Sequence, residues 1–96
     1  MKDILIDLDK AFENRIRLAI MSVLVVNDNI DFNALKDLLE VTDGNLASHI
    51  KSLEKIKYLS VEKRFLGKKP NTKYRATAMG RENFKKHIEA IARLTA

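Results

Sequence analysis

The sequence predicts a mainly helical domain with one small β-hairpin, in the order helix, stub strand, helix, helix, strand, strand, helix. Three observations support this. Apolar residues recur at steps of three and four in four separate stretches, the spacing of one face of a helix. Between Tyr58 and Ala76 the period changes to two, the spacing of a strand. Within that stretch Gly67-Lys68-Lys69-Pro70-Asn71 supplies the turn residues a hairpin needs. Ninety-six residues, 46% of them apolar, suffice for a single domain over residues 1–96 and leave little surface for a deep pocket.

In the first helix, expected over Leu8–Val26, Phe12, Ile16, Ala19, Ile20, Val23 and Leu24 form one apolar stripe. Leu18, Met21 and Val25 lie off it, which predicts a second buried face turned toward another helix or another subunit. Asn27-Asp28-Asn29 ends the helix, and Ile30-Asp31-Phe32 is long enough only for a stub of strand. Asn33 is expected to cap a two-turn helix whose apolar positions are Leu35, Leu38 and Leu39. Glu40-Val41-Thr42 is a tight connection, with Thr42 as the cap of a third helix running to about Lys57.

Within that third helix Leu46, Ile50 and Leu53 make the inward stripe. At ~100° per residue, Ser48, Lys51, Ser52 and Lys55 project from the other side, with Asn45 beside them and His49 at the flank. Along the next strand Val61, Lys63 and Phe65 alternate with Glu62 and Arg64, and Thr72–Ala76 returns with Tyr74 and Ala76 inward. Tyr58 and Tyr74 read as core residues with solvated hydroxyls. Thr77 can cap a last helix with Phe84, Ile88, Ile91 and Leu94 as its apolar positions, on which His87 reads as a surface or interface residue.

Several function classes are excluded. The chain has no cysteine, so it has no disulfide, no thiolate metal site and no cysteine nucleophile, and a reducing cytoplasmic location is expected. The two histidines stand 38 positions apart, which is no zinc spacing; no metal and no cofactor are expected. Ser22, Ser48, Ser52 and Ser60 have no evident histidine and carboxylate partners, and no glycine-rich phosphate loop is present, so no enzymatic activity is expected. The longest nearly apolar run, Leu18–Val26, falls short of the roughly 20 residues of a membrane span.

The net charge of +5 is unevenly distributed. Residues 1–44 hold five basic and nine acidic side chains, whereas residues 45–75 hold nine basic ones (Lys51, Lys55, Lys57, Lys63, Arg64, Lys68, Lys69, Lys73 and Arg75) against Glu54 and Glu62 alone. A basic block carried on a helix and the hairpin after it is the footprint of a polyanion-binding surface.

Two short helices joined by a three-residue turn, followed by a basic hairpin, are the parts of a helix-turn-helix with a wing. The major groove of B-DNA, about 12 Å wide, admits one helix, and the side chains facing it must be slender and able to hydrogen-bond base edges. Asn45, Ser48, His49 and Ser52 are the candidate base-reading residues. Lys51, Lys55, Arg64, Lys68, Lys69, Lys73 and Arg75 are the candidate backbone contacts.

The stretch from Leu18 to Phe84 resembles compact prokaryotic winged-helix transcriptional regulators related to the MarR and ArsR families. The most specific segments are DGNLASHIKSLEKIKYLSVEK (Asp43–Lys63) and KYRATAMG (Lys73–Gly80), the latter holding a Tyr-x-x-Thr-x-x-Gly pattern; the resemblance extends over about residues 9–94. It implies binding of double-stranded DNA, recognition through the Asp43–Lys57 helix with Asn45, Ser48, His49 and Ser52 at the reading positions, and Lys68 and Lys69 at the wing tip. It also implies homodimerisation, to which residues 1–26 and 78–96 would contribute. Two other functions fit the same residues: a winged-helix module that binds protein rather than DNA, and a nonspecific nucleic-acid binder.

Overall fold

The computed structural model describes all residues from Met1 to Ala96. The elements are α1 (Lys2–Asp7), a 3-10 turn (Lys10–Phe12), α2 (Arg15–Val26), β1 (Ile30–Asp31), α3 (Phe32–Leu39), α4 (Asp43–Lys55), β2 (Leu59–Leu66), β3 (Lys69–Ala76) and α5 (Ala78–Leu94). The three strands form an antiparallel sheet in the order β1-β3-β2. The expected class and element order are found, and an additional N-terminal helix lies against α5, where Arg93 donates to the Asp7 carboxylate at 2.6 Å.

The helix expected over Leu8–Val26 is broken. Asp9 Oδ1 accepts from the Ala11 N–H at 2.9 Å, and Asn14 Oδ1 accepts from the N–H groups of Ile16 and Arg17 at 2.9 and 3.1 Å. Each of these side chains satisfies donors at the start of a helical segment, so two starts replace one continuous helix. The cap of α3 is Asp31, whose Oδ1 accepts from the Ala34 N–H at 2.8 Å, rather than Asn33. Thr42 and Thr77 cap α4 and α5 as expected.

Neither helix of the α3–α4 pair ends on glycine. Glu40, with φ 53°, closes α3. At the end of α4, Lys57 donates to the Glu54 carbonyl and Tyr58 to the Leu53 carbonyl, both at 2.9 Å, with Lys57 at φ 65°. This is the pairing of a Schellman motif, in which the left-handed residue turns the chain directly into β2.

One cluster of buried apolar residues, from Phe12 to Phe84, joins α2, α3, α4, β2, β3 and α5. Ile20, Met21, Leu24, Leu35, Leu46 and Leu53 are fully enclosed within it. The second stripe of α2 packs within the chain: Met21 is fully buried, and Leu18 and Val25, partly buried, pack against the same core. The cause is topological, because α2 lies among α3, α4, α5 and the sheet and must present apolar side chains to all of them.

On α5 the expected stripe is only partly internal. Gly80, Phe84, His87 and Ala90 are buried, whereas Ile88, Ile91 and Leu94 are exposed. His87 is not a surface residue. It is 4% exposed, its Nδ1 accepts the Asp9 N–H at 2.9 Å, and its ring lies 5.3 Å from that of Phe12.

Asp9 thus ties three distant parts of the chain together, since its Oδ2 also accepts the Tyr58 hydroxyl at 2.5 Å. The Tyr58 hydroxyl is therefore bound within the protein instead of being solvated. Burial, and then the adjoining Asp9 carboxylate, push the phenol up to about 12. Tyr58→Phe is expected to cost about 1–2 kcal/mol at neutral pH, measured by urea denaturation. The phenol is held neutral in the fold, so its contribution is complete below its ordinary value of 10.0 and is lost as pH rises through about 12. Wild-type stability should fall across that alkaline window more steeply than that of Tyr58→Phe.

Candidate nucleic-acid interface

Helix α4 presents a polar face because its apolar residues occupy only one side. Leu46, Ile50 and Leu53 are buried, while Asn45, Ser48, Lys51, Ser52 and Lys55 are exposed together on the opposite side. Lys51 and Lys55 make no ion pair. The Ser52 hydroxyl donates to the Ser48 carbonyl at 3.2 Å, leaving its lone pairs free, and the Ser48 hydroxyl has no partner in the chain. The small side chains at Gly44, Ala47, Ser48 and Ser52 keep this face narrow enough for close approach to a groove.

The N-terminal end of α4 is held against α3 by Lys36 Nζ, 2.8 Å from the Asp43 carboxylate. That hydrogen bond and charge raise the Lys36 ammonium above its ordinary value. The pair is solvent-facing, and it orients more than it stabilises.

His49 stands apart from the other base-reading candidates. It is half-buried at the flank, with Nδ1 3.3 Å from the Arg17 guanidinium of α2. Burial, and then the Arg17 charge, lower its pKa. Arginine can only donate, so His49 Nδ1 is the acceptor and the imidazole is neutral with its proton on Nε2.

The hairpin extends well beyond the sheet. β1 pairs only with Tyr74 and Lys73, whereas β2 and β3 pair from Leu59↔Ala76 out to Leu66↔Lys69. Gly67, at φ 66°, and Lys68 form the two-residue turn. Lys68 and Lys69 are thus exposed at the tip, unpaired. The turn is shorter than the five residues expected, because Lys69, Pro70 and Asn71 already belong to β3.

Arg64, Lys73 and Arg75 alternate on the outer sheet face, away from Tyr74 and Ala76, but they are not equivalent to the tip lysines. Arg64 is engaged by Glu62, with Nε 2.8 Å from its carboxylate, and Lys73 sits in register between Asp31 and Glu62. Arg75 is free but lies at the hairpin root, six residue pairs and roughly 20 Å from the turn. Lys51 and Lys55 on α4 and Lys68 and Lys69 at the wing tip are exposed and make no ion pair.

Sequence reasoning did not identify Arg81. Its guanidinium donates to the carbonyls of Val25 at 2.9 Å and Leu24 at 3.4 Å, satisfying the end of α2. Its position on the polar side of α5 carried no local signal, since its acceptors lie more than fifty residues away.

Residues 16–95 match the model of the family described as winged helix DNA-binding domain. An uncharacterised protein of Methanocaldococcus jannaschii is 34% identical over 86 residues, which cover 90% of this chain and 94% of the relative. A solved transcriptional regulator homologue from Pyrococcus horikoshii superposes with a TM-score of 0.86 at 28% identity, covering 98% of this chain and 91% of that one. NadR, solved in complex with 4-hydroxyphenylacetate, shares the fold with a TM-score of 0.76 at 19% identity, over 99% of this chain and 67% of that one. No helix is long and apolar enough to cross a membrane.

Proposed function

The chain belongs to the winged helix DNA-binding domain family, and from that premise we propose that it is a sequence-reading transcriptional regulator related to the MarR and ArsR families. The observation that carries this reading is the unobstructed polar face of α4, with Ser48 and Lys51 exposed and Leu46, Ile50 and Leu53 anchoring the other side. In this reading α4 lies in the major groove. Asn45, Ser48 and Ser52 contact base edges, and neutral His49 donates from Nε2 at the groove margin. Lys51 and Lys55 reach the flanking phosphates, and Lys68 and Lys69 reach the backbone of the adjacent minor groove.

The protein acts as a homodimer. Leu5 and Ile6 of α1 are 59% and 69% exposed, and Ile88, Ile91 and Leu94 of α5 are 39–42% exposed, so the α1–α5 pair carries an apolar surface the chain does not cover. A two-fold dimer reads half-sites about 34 Å, or 10 bp, apart. Sedimentation of the purified chain is expected to give a dimer; a monomer at micromolar concentration excludes this arrangement.

Selection of binding sites from a random duplex pool, followed by salt titration, tests the DNA reading. With Arg64 paired to Glu62, six of the candidate cations remain without an ion pair: Lys51, Lys55, Lys68, Lys69, Lys73 and Arg75. They set a log–log salt slope of at most about −5.4 per chain, using roughly −0.9 per contact. Lys68→Ala with Lys69→Ala is expected to weaken all duplexes alike and to flatten the slope by up to about 1.8 per chain. Asn45→Ala and Ser48→Ala are expected to change which sites are enriched. Enrichment of no site at all, with an intact salt slope, would favour nonspecific binding, and indifference to DNA would favour a protein-binding module.

A further inference from the structure

Phe65 has an environment that neither the core nor electrostatics explains. It follows Leu59, Val61 and Lys63 on the inner-facing positions of β2, but the core ends at the Val61–Tyr74 level, and Phe65 lies four residues, roughly 13 Å, farther out. It is 73% exposed and Leu66 beside it is 66% exposed. Phe65 faces Pro70 across the hairpin, so a stiff apolar pair stands just behind the turn. Every charged side chain from Lys63 to Arg75 is cationic: Lys63, Arg64, Lys68, Lys69, Lys73 and Arg75.

An exposed aromatic ring with Lys63 on its own face of a projecting ribbon and Lys68 and Lys69 at the tip matches a polyanion that also offers apolar surface between its charges. A duplex does so at the sugar edges and stacked faces of its minor groove, and apolar wedges inserted there unstack base steps and kink the helix. We propose that Phe65, supported by Pro70, is a wedge that enters the DNA minor groove beside the site occupied by α4 and bends the duplex. The proposal rests on the DNA-binding reading above and adds a second source of specificity. Pyrimidine–purine steps, which unstack most readily, are preferred at the wing position without any hydrogen bond to their bases.

The test uses the full chain and a duplex of about 30 bp, labelled at both ends for energy transfer and carrying TA steps at the wing position. Wild-type protein should shorten the end-to-end distance. Phe65→Ala should bind about 10-fold to 100-fold more weakly, leave the duplex straight, lose the preference for TA steps and keep the salt slope, because no charge is removed. The chain has no tryptophan, so Phe65→Trp places a single reporter at the tip, and its emission should be quenched when it stacks on bases. An unchanged melting temperature for both variants excludes a folding defect. If wild type binds and Phe65→Ala binds and bends equally, or the indole emission of the Phe65→Trp variant does not respond to duplex, the wedge is overturned and the regulator reading stands. If the reporter responds to anionic phosphatidylserine vesicles and not to duplex, the partner is a membrane and the wedge is again overturned. If wild type binds no duplex, the regulator reading itself fails.

Discussion

Gly80→Ala is expected to destabilise the protein by about 3 kcal/mol or more, lowering the melting temperature by roughly 12–24 °C in a calorimetric scan. The reason is contact, not backbone freedom, because Gly80 is an ordinary helical residue in the first turn of α5. A Cβ there would overlap the Tyr58 carbonyl oxygen and stand 2.8 Å from its carbonyl carbon. These are main-chain atoms already committed on both sides. The Tyr58 carbonyl accepts the Thr77 N–H at 3.1 Å, and Tyr58 itself closes α4 through the Leu53 carbonyl. Thr77 completes the junction, its hydroxyl donating to the Lys57 carbonyl at 2.6 Å and accepting the Gly80 N–H at 3.0 Å. No side-chain rotation can relieve the overlap; α5 must lift from the end of α4. A Gly80→Ala variant that melts within a few degrees of wild type would show that this junction yields easily.

Ser48→Glu is expected to abolish duplex binding, by at least about 100-fold at moderate salt, while leaving the melting temperature nearly unchanged. Ser48 is exposed at the centre of the outer face of α4, and its hydroxyl bonds to nothing in the chain, so the fold has no stake in it. Glutamate there carries a negative charge into the groove between two phosphate backbones, where a like charge costs several kcal/mol. Ser48→Ala provides the comparison, since it removes a hydrogen bond without adding charge or bulk. Anisotropy against the selected duplex distinguishes them: Glu should eliminate binding to all sequences, and Ala should alter preference with modest loss. Binding of Ser48→Glu within a few-fold of wild type would place the DNA on another surface.

Features set by neighbours in the chain were legible from the sequence. Thr42 and Thr77 begin α4 and α5 because a hydroxyl needs only the N–H three residues on, and the polar face of α4 follows from the spacing of Leu46, Ile50 and Leu53 alone. Asp31 displaced Asn33 as the cap of α3 because both are capping types two positions apart, and composition does not rank them. Features set by distant partners were not legible. Burial of His87 depends on Asp9, 78 residues away, and a lone histidine on a helix carries no trace of that. Likewise the periodicity of α5 marks Ile88 and Ile91 as inward, yet they are exposed while His87 and Ala90 are buried, because which side of a helix is covered depends on the elements packed against it. For the candidate contacts, residue types were readable but ion-pair partners were not, which is why Arg64, held by Glu62, counts for less than Lys68 and Lys69.

The overhanging hairpin also bears on solubility. Beyond Lys73 the rim of β3 has no strand beside it, and the far rim of β2 has none along its length, so both present main-chain groups that could template pairing with another molecule's strand. Pro70 removes one amide donor from the first rim, and Lys69 and Lys73 flank it with charge, while Glu62, Lys63 and Arg64 do the same on the second. The lysines and proline of this arm therefore oppose fibrillar stacking, so neutralising them together is expected to raise the tendency to precipitate, measured by light scattering.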